Sequence, residues 1–244
     1  MKISIVGLGW FGLALGQELK THHQILGTSR TEERAKLLTA LGFETYILNP
    51  QQTINPALLE SEVIILNIPP FKGQLDWFKS WNISPNTHLI FISSTSVYGK
   101  LQTEVCEETP PHPDTENGFI LLEEEKWVRG FKNQTIIRFG GLVGPNRHPG
   151  KFLSGRQNLE GGNHPVNLIH QIDAVHFVKY VIEKKLYQET FNLVHPHHPT
   201  RSDYYGGYCA ENNLPLPHFL HSNEIGKRVA SDKVEKIYHF RQKI

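Results

Sequence analysis

The chain begins Met1-Lys2-Ile3-Ser4-Ile5-Val6-Gly7-Leu8-Gly9-Trp10-Phe11-Gly12, a short apolar run broken by a glycine turn. Residues 3–6 are expected to form a short buried strand. Phe11, Leu15 and Leu19 then recur every four residues, which puts them on one face of a helix. In such a strand–turn–helix unit Gly7 permits the tight turn and Gly9 lets the backbone approach a pyrophosphate. Gly12 lets the helix lie close to the strand. The unpaired N–H groups at the positive end of the helix then face an anion. Gly7, Gly9, Trp10, Phe11 and Gly12 are therefore candidate cofactor-binding residues, the alternative being a strand–turn–helix that carries no ligand.

Further along, apolar runs alternate with helical patterns. Residues 24–27 read as a second strand, followed by a helix carrying Leu37, Leu38 and Leu41. Residues 45–48 form a weak third strand and residues 62–68 a strong fourth, halted by Pro69-Pro70. Residues 89–92 and 135–138 supply a fifth and a sixth, and residues 189–194 a seventh. Strands separated by helical crossovers imply a parallel sheet covered on both faces. The expected fold is α/β, a doubly wound parallel sheet (Rossmann fold) that binds ligands at the carboxyl ends of its strands. After residue 140 the regularity breaks at Gly144-Pro145, Pro149-Gly150 and Gly161-Gly162. A helix returns with Ala174, Phe177, Val178, Val181 and Ile182. The expected division is a dinucleotide-binding core over residues 1–140 and a mixed segment over 141–244 that adds late sheet elements and a small C-terminal substrate-binding lobe.

The 244 residues are 39% hydrophobic and 20% charged, enough for a sizeable core and far from a disordered composition. With Lys+Arg at 25 and Asp+Glu at 24, the formal charge of +1 argues against a nucleic-acid binder. No apolar run is long enough to span a bilayer. The strand begins too close to Met1 for a cleavable signal peptide. Cys106 and Cys209 cannot build a disulfide framework. These features predict a cytoplasmic protein, monomer or homodimer, whose partner is a small-molecule substrate rather than nucleic acid or membrane.

About twenty residues past the glycine turn an NAD-binding chain places an acid against the adenine ribose hydroxyls. This chain has Thr28-Ser29-Arg30 there. An acid would repel a 2′-phosphate, whereas Arg30 can pair with one, and Arg34 supplies a second charge one helical turn on. The expected cofactor is NADP, with NAD as the alternative; the competing role for the two arginines is pairing with Glu32 or Glu33. Ile68, Pro69 and Pro70, which halt the fourth strand, and Ser93, at the end of the fifth, complete the cofactor candidates.

The fifth strand ends in Ser93-Ser94-Thr95-Ser96-Val97-Tyr98-Gly99. This pattern resembles the extended and atypical short-chain dehydrogenase/reductases, relatives of the nucleotide-sugar epimerases and dehydratases. Further matches run in register along nearly the whole chain: Glu107-Glu108-Thr109-Pro110, Arg138 to Pro145, Asn167 to Asp173, and Phe191-Asn192-Leu193. The short length and glycine spacing look most like the small bacterial YeeZ-like branch. The opening glycines also resemble the β-hydroxyacid dehydrogenases, but residues 140–244 are too broken by Pro and Gly for that family's all-helical second domain.

The resemblance assigns polarisation of the substrate oxygen to Ser94. The family base is a tyrosine, with a lysine four residues later that makes it competent near neutral pH. Anchored on Glu125, the register puts Asn117 at the tyrosine position and Leu121 at the lysine position, and no other Tyr-x-x-x-Lys lies between residues 100 and 135. Tyr98 is the candidate substitute, with no neighbouring cation visible in the sequence; its alternative role is a partly buried ring lining the pocket. His170 matches the family position near the substrate, with bridging of strand and loop as the alternative. Asn146 and Arg147 are candidate anion contacts for the substrate.

The histidines of His195-Pro196-His197-His198-Pro199 sit between prolines and read as a polar loop rather than a metal site. His22-His23 reads as a surface turn. Glu123-Glu124-Glu125 reads as a solvated helix face, and Trp77, Phe78 and Trp81 as core or a dimer face. Two functions remain: an NAD(P)-dependent oxidoreductase or epimerase for a small polar or nucleotide-linked substrate, or a non-catalytic NADP(H)-binding redox sensor.

Overall fold

The structure, a computed structural model, describes residues 1–50 and 52–244. Its main sheet has seven strands: β1 (Lys2–Val6), β2 (Gln24–Ser29), β3 (Glu44–Ile47), β4 (Val63–Leu66), β5 (His88–Ser94), β6 (Gln134–Phe139) and β7 (Glu189–Leu193). They lie in the order β7-β6-β5-β4-β1-β2-β3, with every neighbouring pair parallel. The order reverses between β1 and β4, which creates the crevice where an open parallel sheet binds its ligand. All four residues of β4 and all six of β6 are buried, as expected of strands covered on both faces.

The longer helices are α1 (Trp10–Leu19), α2 (Glu32–Ala40), α3 (Gln74–Lys79), α4 (Glu116–Val128), α5 (Gln171–Lys184) and α6 (Arg201–Glu211). One face of the sheet packs on α1 and α5 through Ile5, Leu15, Phe177, Val181 and Phe191. The other holds Ile64, Phe91, Leu121 and the aromatic group Trp77, Phe78 and Trp81. That trio is core: Phe78 and Trp81 meet edge-on with centroids 4.9 Å apart. In α2 only Leu38 is buried, while Leu37 and Leu41 are exposed. The helix flanks the edge strand β3, where only one of its sides has sheet to cover.

The second half of the chain both completes this core and adds to it. α5 and β7 join the main layers, and Val234 and Tyr238 close the same apolar cluster. Two short parallel pairs lie outside the main sheet, Gly141–Val143 with Leu168–His170 and Glu104–Val105 with Arg228–Val229. A separate cluster of Val143, Val166, Leu168 and Tyr205, backed by Leu153 and Phe219, forms a small C-terminal lobe.

The expectation of a solvated glutamate face on α4 is overturned. Glu123 is exposed and pairs with Lys126 at 2.6 Å, but Glu124 and Glu125 are each 1% exposed. Two adjacent positions share the inward face with Leu121 and Val128 because α4 is covered by sheet on one side and by aromatic core on the other.

Candidate cofactor cleft and active site

The glycine turn between β1 and α1 is held from both neighbours. Thr28 Oγ1 accepts from Gly7 N at 2.9 Å, and Asn67 Nδ2 donates to Gly7 O at 3.0 Å. Gly7 has φ +106°, and a Cβ there would stand 2.3 Å from Asn67 O, so only glycine fits. A Cβ on Gly12 would lie 2.1 Å from Gly7 O, the close helix approach expected of the third glycine. At Gly9 a Cβ would meet nothing within 4 Å. Its backbone therefore borders open space at the head of α1, a ten-residue helix with no side-chain cap and no acid in its first turn. Unpaired N–H groups and the positive helix end are left facing that space.

The space is a cavity of about 550 Å³ at the carboxyl ends of β1, β2 and β4. The candidates Gly7, Gly9, Ser29, Arg30, Arg34, Ile68, Pro69 and Pro70 line it, joined by Thr31, Leu48, Asn67, Phe71 and Trp77. Among the described residues neither Arg30 nor Arg34 has a carboxylate within 4.0 Å, so neither pairs with Glu32 or Glu33. Arg30 is exposed and Arg34 half-buried. The cradle, two arginines and apolar walls of Leu48, Phe71 and Trp77 give the cavity the lining of a dinucleotide site.

Three cofactor candidates lie differently. The Phe11 ring turns inward and meets Phe139 edge-on at 5.0 Å, which leaves only its main chain at the turn. Trp10 points away from the cavity, against Gly144 and beneath the Arg147 guanidinium, 5.0 Å above its ring. Ser93 is buried, with Oγ donating to Glu125 Oε1 at 2.7 Å. Strand alternation explains the last case, since Ser93 and Ser94 face opposite sides of the sheet.

Ser94 is half-buried at the end of β5 and caps a 3₁₀ turn over Thr95–Tyr98, its Oγ accepting from Ser96 N at 3.1 Å. That bond uses an oxygen lone pair and leaves the hydroxyl proton free to donate. Tyr98, the candidate base, is fully buried. Arg138 Nη1 donates to its hydroxyl at 2.6 Å, and the hydroxyl faces Cys106 O at 2.7 Å and Asn192 Oδ1 at 2.9 Å. Burial pushes the phenol up despite the opposing Arg138 charge. Tyr98 is thus neither a base nor a pocket wall. Its surroundings also correct the expectation of no neighbouring cation: Arg138 touches it, and Lys227 Nζ stands 5.9 Å from its ring centroid.

Arg138 is itself engaged by Glu125, through Nε to Oε1 at 2.9 Å and Nη2 to Oε2 at 2.6 Å. Burial opposes the guanidinium charge, but the Glu125 pair holds its pKa above the usual value. Asn117 is exposed in the first turn of α4 and Leu121 is buried, so the family tyrosine and lysine positions carry no acid–base group.

His170 is the N-cap of α5, its Nδ1 accepting from Ile172 N at 3.2 Å, which commits that nitrogen to structure. Burial lowers its pKa, opposed by Asp173. Asn146, at φ 59°, and Arg147 are exposed on a tight turn closed by mutual bonds between Gly144 and Arg147 of 3.0 and 2.9 Å. The 195–199 histidines occupy a loop after β7, and among the described residues no three His, Cys, Asp or Glu side chains cluster to hold a metal ion. No helix among them is long and apolar enough to cross a membrane.

Strand order and glycine cradle together define a doubly wound, Rossmann-type α/β fold with an open crevice where the strand order reverses. No family model matches the chain. Protein YeeZ of Escherichia coli (strain K12) is 31% identical over 245 residues, covering 93% of this chain and 89% of that protein, and the chain belongs to the YeeZ family. Among solved structures, a functionally unknown conserved protein from Silicibacter pomeroyi DSS superposes with a TM-score of 0.83 at 20% identity, covering 100% of this chain and 94% of the other. UDP-glucuronic acid 4-epimerase from Bacillus cereus, in complex with UDP-glucuronic acid and NAD, gives a TM-score of 0.77 at 17% identity, covering 100% and 95%.

Proposed function

We propose that this chain is an NADP(H)-dependent oxidoreductase or epimerase acting on a small polar or nucleotide-linked substrate. The observation that carries the reading is the open glycine cradle with two unpaired arginines and no acid at the ribose position. Gly9 leaves room for a pyrophosphate against the head of α1, and Arg30 and Arg34 favour a 2′-phosphate through charge-assisted bonds. A nicotinamide bound here would supply hydride chemistry. Ser94, at the carboxyl end of β5, would donate its free hydroxyl proton to a substrate oxygen and orient it. Arg147, exposed beside Trp10, and Asn146 would contact an anionic part of the substrate. The epimerase of similar fold binds a nucleotide sugar, which supports that substrate class here.

A second reading, a dinucleotide-binding sensor without catalysis, is favoured by one observation: Asn117 and Leu121 leave the family tyrosine and lysine positions of α4 without a base or a cation, and Tyr98 is sealed. Trp77 in the cavity wall makes binding visible by fluorescence. NADPH is expected to bind more tightly than NADH, and Arg30→Ala to reduce NADPH affinity by on the order of tenfold or more while leaving NADH unaffected. Equal affinities in the wild type would remove the NADP assignment. Turnover of nucleotide sugars or small carbonyl compounds that Ser94→Ala abolishes would decide for the enzyme.

A further inference from the structure

The family lysine is missing from α4, yet a cation reaches the same turn from the far end of the chain. Lys227 lies one residue before the Arg228–Val229 strand. Its Nζ donates to Thr95 O at 2.9 Å and to Gly99 O at 2.6 Å, the two ends of the turn that Ser94 caps. The backbone around it is fixed. Asn167 Nδ2 donates to Lys227 O and Asn167 Oδ1 accepts from Val229 N, both at 2.8 Å, while Gln102 Oε1 accepts from Gly226 N at 2.8 Å.

No carboxylate among the described residues pairs directly with this ammonium: none lies within 4.0 Å of Lys227 Nζ, and its two bonded acceptors are neutral carbonyls. A third N–H remains free. Arg138, the other cation near Tyr98, is consumed by the Glu125 carboxylate. Burial lowers the Lys227 pKa, with Asp114 opposing, as expected of an ammonium drawn out of water toward neutral acceptors.

We infer that Lys227 is the positioning cation of the Ser94 site, pinning the Thr95–Gly99 turn and supplying the positive charge that Leu121 no longer provides. The inference rests on the cofactor reading above. On that reading Ser94 meets the nicotinamide, and a cation bound to the turn that Ser94 caps disfavours the positively charged oxidised ring relative to the neutral reduced one. The adenosine and phosphate parts of the two cofactor forms are the same, so any general weakening of the cleft cancels in the ratio of their affinities.

The test is the ratio of NADP⁺ to NADPH dissociation constants, read by Trp77 fluorescence on the full chain. Lys227→Met and Lys227→Gln should lower that ratio by roughly three- to tenfold, and Lys227→Arg should keep it within roughly twofold of wild type. If both neutral variants leave the ratio unchanged, or weaken the two forms equally, Lys227 is only a strut of the turn and the inference is overturned. Wild-type protein that binds neither form would instead bring down the cofactor reading, and this inference with it.

Discussion

The carboxyl edge of the sheet has two halves that treat their polar groups in opposite ways. Around β1 and β2 the groups are left free: the head of α1 is uncapped, Gly9 borders empty space, and among the described residues Arg30 and Arg34 have no carboxylate partner. Around β5 and β6 most are engaged, with Ser93, Tyr98, Glu125, Arg138 and Asn192 Oδ1 bound to one another out of water, while Asn192 Nδ2 and the Glu124 carboxylate lack a partner among the described residues. Free donors beside a cavity cost stability and wait for a ligand, whereas satisfied buried groups rigidify and cannot react. A Ser-Ser-x-x-Val-Tyr-Gly turn thus contains both kinds: Ser94 belongs with the free groups and Tyr98 with the satisfied ones.

Breaking the sealed half should give the largest effect. Glu125→Gln leaves the Arg138 guanidinium buried without its counter-ion, and the expected loss is about 3–5 kcal/mol of unfolding free energy in urea titrations. Next comes Glu124, whose two carboxylate oxygens have no partner and whose pKa burial pushes up to about 8 from 4.5. The folded chain holds this proton where the unfolded chain has lost it, so stability is full below about pH 4.5 and drains away as pH rises to about 8. Glu124→Gln should be flat through that window and exceed wild type by on the order of 3 kcal/mol at pH 9. Matching pH profiles for the two proteins would show that Glu124 has a partner after all.

The open half should respond in the reverse sense. Gly9→Val finds no clash and an ordinary φ of −76°, so the melting temperature should hold while dinucleotide affinity falls at least roughly a hundredfold. Binding that survives would mean the pyrophosphate lies elsewhere. The smallest effect sharpens the border between the halves. Tyr98→Phe strips one acceptor from Arg138 and should cost ~1–2 kcal/mol of stability with cofactor affinity unchanged. A loss of affinity without loss of stability would put the phenol back in the site.

The fold was legible because most strands of the main sheet are compact apolar runs and Gly7 and Gly12 have a steric reason to be where they are. Gly7, Gly9 and Gly12 announced the cradle, and the absence of an acid at Arg30 announced its charge. What escaped was whatever depends on contacts distant in the chain. Asn67 and Thr28 fix the glycine turn from other strands, and no local pattern marks them. Tyr98 looked reactive because its partners sit up to 94 residues away, at Asn192. Glu124 and Glu125 looked solvated because a run of three acids usually is, and only the pairing with Arg138 reveals the inward turn of the helix. Lys227, in a stretch read only as part of a mixed segment with a small substrate-binding lobe, gave no signal at all.

The bond between Tyr98 and Asn192 also bears on how the chain is made. Synthesis delivers β1 through β6 long before β7, and until β7 docks, β6 is a bare edge with unpaired main-chain groups. Tyr98 and Arg138 are by then already buried or about to be, without the amide that completes their shell. A nascent chain stopped near residue 140 therefore lacks the Asn192 amide that completes the Tyr98 shell, which arrives only with β7.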